Sequence, residues 1–474
     1  MKKIKETKRR VTAAILAAAL ALSLTACGNG GNAASSNDAN SGSSAEDTAN
    51  ETAGSQENGD DAGSDAPAEE NKERVTLKYA TFRVGAHVMA PSEAEILRLA
   101  KEKFKDEFDI EVEEIPSDST YIDKMKVLAA SNDLPDIIEG KSGLFEIALQ
   151  GNLAVPLTKY FEEDPEWRAA IGEDNIAFNT RDGEIWSAGL SGDSAVGYYY
   201  NKELFAKAGI EPAKTWDEFF SNCDKLKEAG ITPLSLATGE VAYSSNLFLA
   251  AAIGTSSPEG YEFMTSLSKH NDFNRPEVIK GIVIVKRLLQ DYTTQDAVGA
   301  VYANISNNFY MEKTAMIPNG PWMIPDFSNP EKAPEGFYDK VGVALFPNNG
   351  MVVGSDYGAL VTAKGSDAQI EAAVKFLKFL SGEEAQKIRL EMGSVPPLSP
   401  NVTPSPEFIE SNPLFADLLA LQGEAEYKCY DMSFVSPSNF SSEWKTLYPE
   451  LVYDRITPEE FALKLNDIAA RSHE

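Results

Sequence analysis

Three cysteines and three histidines are all that this 474-residue chain holds of the side chains that most often carry nucleophilic or metal chemistry. Cys223 and Cys429 stand far apart, with no CxxC and no Cys/His spacing that suits a metal. Cys223 follows Phe219 and Phe220 and precedes Leu226 at helical spacing, which reads as a buried thiol, and a disulfide to Cys429 is the other reading. His87, His270 and His473 are scattered, and none sits in the serine and acid pattern of a triad. The 73 acidic residues guarantee that some carboxylate pair could be nominated for glycoside hydrolysis, but no spacing singles one out. The residue pattern therefore gives no support to a zinc hydrolase, a serine hydrolase or a glycosidase, nor to any cofactor.

Cys27 stands apart from the other two. It follows a basic start (Lys2, Lys3, Lys5, Lys8, Arg9, Arg10) and an apolar run from Val11 to Ala26. That run is too short for a comfortable membrane span and has the layout of an export signal. Leu24-Thr25-Ala26-Cys27 resembles the lipobox of bacterial lipoproteins. The resemblance implies a signal peptide over residues 1–26 and a Cys27 thiol that is diacylated and left as the new N-terminus. Such a protein is held on the extracellular face of the cell membrane by its lipid. From Gly28 to Lys72 there is no aromatic residue and no Leu, Ile, Val, Phe or Met, and eleven Asp and Glu between Asp38 and Glu73 stand against Lys72 alone. Segment 27–73 cannot bury enough apolar surface to offset the entropy of ordering it, and its charges repel one another. It reads as a solvated tether.

Beyond Glu73 the composition is that of an ordinary folded protein of about 400 residues, too large for one core and so expected to form two lobes. The formal net charge is −30, and because residues 1–26 hold six basic residues and one acidic one, the rest of the chain is more acidic still. That balance argues against nucleic acid and leaves room for a cationic ligand. Val75 to Phe82 reads as a strand, Pro91-Ser92 opens a helix with Ala94, Leu97, Ala100 and Phe104 on its apolar face, and Ile110 to Ile115 is a second strand. Tyr121 to Ala130 reads as a helix and Leu134 to Ile138 as a third strand. This alternation implies parallel βαβ units, in which ligands collect at the carboxyl ends of the strands.

Tyr200-Asn201-Lys202-Glu203-Leu204-Phe205-Ala206-Lys207-Ala208-Gly209-Ile210, followed by Lys214-Thr215-Trp216-Asp217-Glu218-Phe219, carries the strongest resemblance. It is similar to the YNKxLFxKAGI…PxTWxEF segment of family 1 extracellular solute-binding proteins of ABC transporters, the group that includes maltose-binding protein. Leu134 to Ile138, Gly151 to Leu157, Asn319-Gly320-Pro321-Trp322 and Ala372 to Leu380 match further elements of that family in its order. The same residues also have a local reading: Thr215 is an N-cap, Glu218 completes a capping box, and Leu204, Phe205 and Ile210 are core.

The resemblance implies an α/β, two-lobed periplasmic-binding-protein type II fold with a hinge and an inter-lobe cleft. The first lobe takes residues 74–191 plus 354–395 and the second 192–353 plus 396–474. Chain crossings fall near Ser191 to Ser194 and near Val353 to Asp356. It further implies a monomeric capture protein that binds a sugar or oligosaccharide and delivers it to the transmembrane subunits of an ABC permease. Trp322 stands where relatives often place a stacking tryptophan, and Glu240 and Tyr243 where relatives carry acidic and aromatic contacts. Asp193 and Asp356, on the crossings, either grip ligand hydroxyls or cap turns. Arg83 and Glu139 end the first and third strands and either face the cleft or form surface salt bridges, while Trp444 is either a second aromatic plane or core. The loop Gly140-Lys141-Ser142-Gly143 lacks the aromatic residue and acidic pair of the maltose-binding pattern. A binding protein for a non-sugar solute, such as a polyamine, peptide or chelate, would instead show more carboxylates than aromatic planes.

Overall fold

The computed structural model describes residues 74–266, 269–437 and 439–471. Residues 1–73, with the signal segment, the tether and Cys27, lie outside the described residues. Among the described residues no helix is long and apolar enough to cross a membrane.

The first sheet begins with β1 (Val75–Thr81), β2 (Phe108–Glu114) and β3 (Ile137–Glu139). β1 pairs in parallel with both others, Leu77 opposite Ile110 and Tyr79 opposite Ile137. Helices Ala90–Lys103 and Asp118–Ala130 make the crossovers, as the alternation requires. Along the first of these helices the buried face is Ser92, Glu93, Ile96, Leu97 and Ala100, whereas Ala94 is exposed. The expected stripe is thus rotated, and it brings a carboxylate inside. Glu93 is tolerated there because Arg389 Nη2 lies 3.2 Å from its Oε2.

Two short strands, β4 (Thr180–Arg181) and β5 (Glu184–Ile185), form a ribbon of their own. The second sheet then assembles from β6 (Ser194–Asn201), β7 (Thr232–Leu234), β8 (Thr314–Asn319), β9 (Val341–Ala344) and β10 (Gly350–Gly354). The chain next returns to the first sheet as β11 (Ala359–Val361), antiparallel to β3, and later adds β12 (Tyr427–Tyr430) to the second. The strand orders are β11-β3-β1-β2 and β12-β10-β6-β8-β7, with β9 paired to β6.

Each sheet has its own apolar packing. Leu77, Tyr79, Ile96, Phe376 and Leu377 are fully buried around the first. Phe219, Phe248, Val285, Leu451 and Phe461 cover one face of the second, and Phe309, Ile317, Phe327 and Phe415 the other. Helix Tyr243–Gly254 is buried on nearly every side, which its apolar run from Leu247 to Ile253 permits, and the polar Ser244, Ser245 and Asn246 of its first turn are hydrogen-bonded to Ala237 and Val241. Thr215 Oγ1 accepts from Glu218 N at 3.2 Å, confirming the N-cap, while Glu218 Oε2 reaches back to Lys214 N at 2.8 Å rather than to the cap residue itself. Phe205 and Ile210 are buried and Leu204 is only half-buried. Cys223 and Cys429 are both buried free thiols, so the disulfide reading is corrected.

Three stretches of chain run side by side between the sheets: Leu190–Ser194, Gly354–Gly358 and Ser394–Pro397. Gly192 N donates to Pro396 O at 2.7 Å, and a Cβ at Gly192 would sit 2.3 Å from Pro397 O. Only glycine lets these backbones approach so closely. Two of these stretches are the expected crossings, and the expected lobe boundary between residues 395 and 396 falls in the third.

Candidate functional site

Register settles which edges of the two sheets meet the crossings. In the first sheet Ala359, at the start of β11, lies opposite Glu139, at the end of β3, so the carboxyl ends of the parallel strands adjoin the crossing at Gly354–Gly358. In the second, Gly354 at the end of β10 pairs with Ser194 at the start of β6, and Asn319 at the end of β8 pairs with Gly197. The residues that follow β7, β8, β10 and β12 therefore share one edge. The space between these two edges is where an α/β sheet collects ligands.

The second-sheet wall carries an aromatic pair. Trp322 follows β8 through Gly320-Pro321 and is half-buried, its ring centroid 6.3 Å from that of Tyr243 at 49°. A Cβ at Gly320 would lie 2.3 Å from Trp322 Cη2, so glycine is what allows the indole to fold back over its own turn. Tyr199 Oη donates to Gly320 O at 2.8 Å and fixes the turn from beneath. Glu240, with φ +52°, and Ala242, also at +52°, both occupy the left-handed region that non-glycine residues enter at a cost. Glu240 Oε2 accepts from Tyr302 N at 3.3 Å. Burial pushes the Glu240 carboxyl up, the Tyr302 N–H opposes this, and across the space Asp118 adds to the shift while Lys141 opposes it. Asp431 follows β12, its Oδ1 accepting from Ser433 N at 2.8 Å.

The first-sheet wall is built from the loops after β1, β2 and β3. Arg83 is 6% exposed, and its Nε lies 2.8 Å from Glu139 Oε2, so the two expected site residues pair with each other inside the protein rather than at the surface. Glu139 Oε1 accepts from Thr81 Oγ1 at 2.7 Å and Tyr79 Oη at 3.2 Å. Burial raises the Glu139 carboxyl against the opposing pull of Arg83, with Glu93 adding to the rise. Lys141 Nζ lies 2.6 Å from Asp118 Oδ2 and 4.1 Å above the Phe82 ring. Asp118, Lys141, His87, Tyr302 and Asp431 are the wall residues that sequence reasoning missed. The signal for the first two was positional, since each follows the carboxyl end of a strand.

His87 shows what this wall does to a proton. Its Nδ1 accepts from Met89 N at 3.2 Å, and Nε2 lies 3.8 Å from Asp118 Oδ1. Burial, reinforced by Lys141 and Arg83 and opposed by Asp118, lowers its pKa from 6.5 to about 4. The unfolded imidazole therefore takes up a proton first as pH falls, and the folded state loses stability between about pH 6.5 and 4, by up to about 3 kcal/mol. Thermal unfolding of His87→Gln followed across that window is expected to show a shallower decline than the parent. Some decline stays, because burial also lowers His270, which stacks on Phe263 at 3.8 Å. An unchanged slope would remove His87 from the account.

The remaining expected site residues are placed otherwise. Asp356 Oδ2 accepts from Leu190 N at 2.8 Å, Ser191 N at 3.0 Å and Ser191 Oγ at 3.1 Å, and Oδ1 from Gly358 N at 2.9 Å. Both its oxygens are thus engaged in fastening two crossings together, the turn-capping reading. Asp193 is exposed and accepts from Ser355 Oγ at 2.6 Å, a second tie between the same crossings. Trp444 is 3% exposed among Phe440, Tyr448 and Phe461, so it is core rather than an aromatic plane for a ligand. On the rim, Lys126 Nζ reaches Ser441 Oγ at 3.3 Å and Phe434 packs on Phe178 and Tyr357 at 5.4 and 5.5 Å, so the two walls already touch.

The profile of the bacterial extracellular solute-binding proteins matches residues 100–417 of this chain. The chain belongs to that family. Among relatives of this solute-binding protein, a multiple sugar-binding protein of Streptococcus mutans serotype c is 28% identical over 214 residues, which is 43% of this chain and 49% of that protein. The chain thus matches about half the length of that relative. An uncharacterised ABC transporter extracellular-binding protein of Pyrococcus horikoshii is 25% identical over 357 residues, 70% of this chain and 69% of that one. Among solved structures, a chitin oligosaccharide binding protein superposes with a TM-score of 0.74 at 24% identity, covering 84% of this chain and 99% of that one. A Streptococcus pneumoniae solute-binding protein in complex with the blood group A-trisaccharide gives 0.69 at 20% identity, covering 83% and 99%. These likenesses establish the two-lobed type II binding-protein fold, and the family makes this an extracellular solute-binding protein.

Proposed function

We propose that the protein captures a sugar or oligosaccharide between its two walls and delivers it to the transmembrane subunits of an ABC importer, held at the cell surface by lipid on Cys27. Residues 74–191 with 354–395 act as one lobe and 192–353 with 396–474 as the other, rotating about the crossings. The observation that carries this reading is the half-buried Trp322–Tyr243 pair at 6.3 Å, with Glu240 three residues before Tyr243 in the loop that leads into its helix. A pyranose offers an apolar face to an aromatic plane and hydroxyls to carboxylates, and this wall supplies both. The relatives point the same way, since those named for a ligand are named for sugars. Nothing in the proposed cycle makes or breaks a bond: binding selects the closed form, and docking on the permease releases the cargo.

The test is a thermal-shift panel of mono- and oligosaccharides, polyamines and peptides on the protein lacking residues 1–27. A ligand selective for the folded state raises the melting temperature by mass action, about 2.7 kcal/mol at a hundredfold excess over Kd. A rise with glycans supports the proposal. A rise confined to polyamines or peptides would overturn it and leave the fold assignment standing.

A further inference from the structure

We infer that the cleft takes an uncharged or amine-bearing glycan and turns away sugars that carry a carboxylate. This rests on the sugar-binding reading and deepens it. Inside the two walls the cations already face carboxylates: Arg83 with Glu139 at 2.8 Å, Lys141 with Asp118 at 2.6 Å, Lys332 with Asp326 at 2.8 Å, and Arg181 and Lys269 sharing Glu146 at 3.6 and 3.9 Å. Lys269 is further held by Ser433 O at 3.1 Å and Phe434 O at 2.9 Å.

The carboxylates outnumber both the cations and the aromatic planes, the pattern expected for a non-sugar solute such as a polyamine, and the Trp322–Tyr243 pair is what favours a sugar over it. Among the described residues neither Glu240 nor Asp431 has an ion-pair partner, and each keeps one oxygen away from backbone donors. Asp431 Oδ2, Asp118 Oδ1 and Glu146 Oε2 are buried with no hydrogen-bond partner in the protein, while the buried donors left open in the same wall, Arg83 Nε and Nη1, belong to a guanidinium whose charge Glu139 already matches. A buried acceptor without a donor is costly, and the cost is recovered when a ligand supplies an O–H or N–H. Sugar hydroxyls and ammonium groups donate. A uronate carboxylate cannot, and it adds a like charge to walls whose cations are already matched. Repulsion of this kind discriminates between ligands of the same shape without adding affinity for the right one.

The experiment uses the full-length protein in detergent, with calorimetric titration of defined tetrasaccharides. Neutral probes are glucose-, galactose-, xylose- and N-acetylglucosamine-based, amine probes are glucosamine-based, and acidic probes are glucuronate- and galacturonate-based. Spermidine and citrate serve as cationic and anionic non-sugar controls. The expected result is binding of a neutral or amine probe with every uronate weaker by at least about tenfold. That gap is expected to narrow in Glu240→Gln and Asp431→Asn and in high salt. A uronate that binds as well as the best neutral probe would overturn the charge account while leaving the sugar reading intact. Binding of spermidine alone would overturn the sugar reading and keep the charge account, and silence from every probe would overturn both.

Discussion

Arg389→Leu is expected to lower the unfolding free energy by roughly 3–5 kcal/mol, the largest loss expected here from a single substitution. Arg389 is 1% exposed, donates to Leu380 O at 2.5 Å and lies 3.2 Å from Glu93, which is 0% exposed. Leucine fills much of the volume but leaves the Glu93 carboxylate in the core beside Tyr79 Oη, with its counter-charge removed. The pair itself adds little net stability, since two charges lose their hydration on burial. Glu93→Leu combined with Arg389→Leu is therefore expected to recover most of the loss, a coupling that chemical denaturation of both single variants and the double variant measures. Single and double variants that fall by the same amount would show that Arg389 acts through its carbonyl contacts instead.

The second large effect concerns ligand. Trp322→Ala is expected to weaken the best glycan of the panel by about 2–3 kcal/mol, roughly thirty- to two-hundredfold, because a central aromatic plane carries a disproportionate share of binding energy. Trp322 also packs against the apolar residues on both faces of the second sheet, so the substitution costs some stability as well. Trp322→Phe separates the two: it retains most of the packing and part of the plane, and it is expected to fall between wild type and alanine in affinity while nearly matching wild type in melting temperature. Equal affinities in all three proteins would assign Trp322 to packing alone.

How far these residues could be read from sequence depended on the range of the interactions involved. The parallel strands β1 to β3 and their crossover helices were legible because strand and helix periodicity is local, and Thr215 announced its helix through the residue three places on. Glu93 was not legible. Its partner lies 296 residues away, and a charged residue next to a helical stripe normally points to solvent. Arg83 and Glu139 were located at strand ends, yet their pairing depended on β1 and β3 being neighbours. Asp356 could not be sorted between ligand and cap until the crossing at Leu190 was seen to offer it two backbone N–H groups. Trp444 was ambiguous because helical spacing alone does not tell which face meets a core.

The return of the chain to the first sheet has a consequence for how this protein comes to be folded. β3 and β11 pair directly although Glu139 and Ala359 are separated by the whole of β6 to β10. Arg389, the counter-charge to Glu93, follows later still. A ribosome adding about 5–20 residues per second completes β1 to β3 well before either partner exists. Until then the early segment has an open strand edge and an unmatched acidic group, and both delay its compaction. The segment from β1 to β3 thus stays pliable until residues beyond Ala359 have been made, which is the state in which a polypeptide can be threaded through a membrane pore.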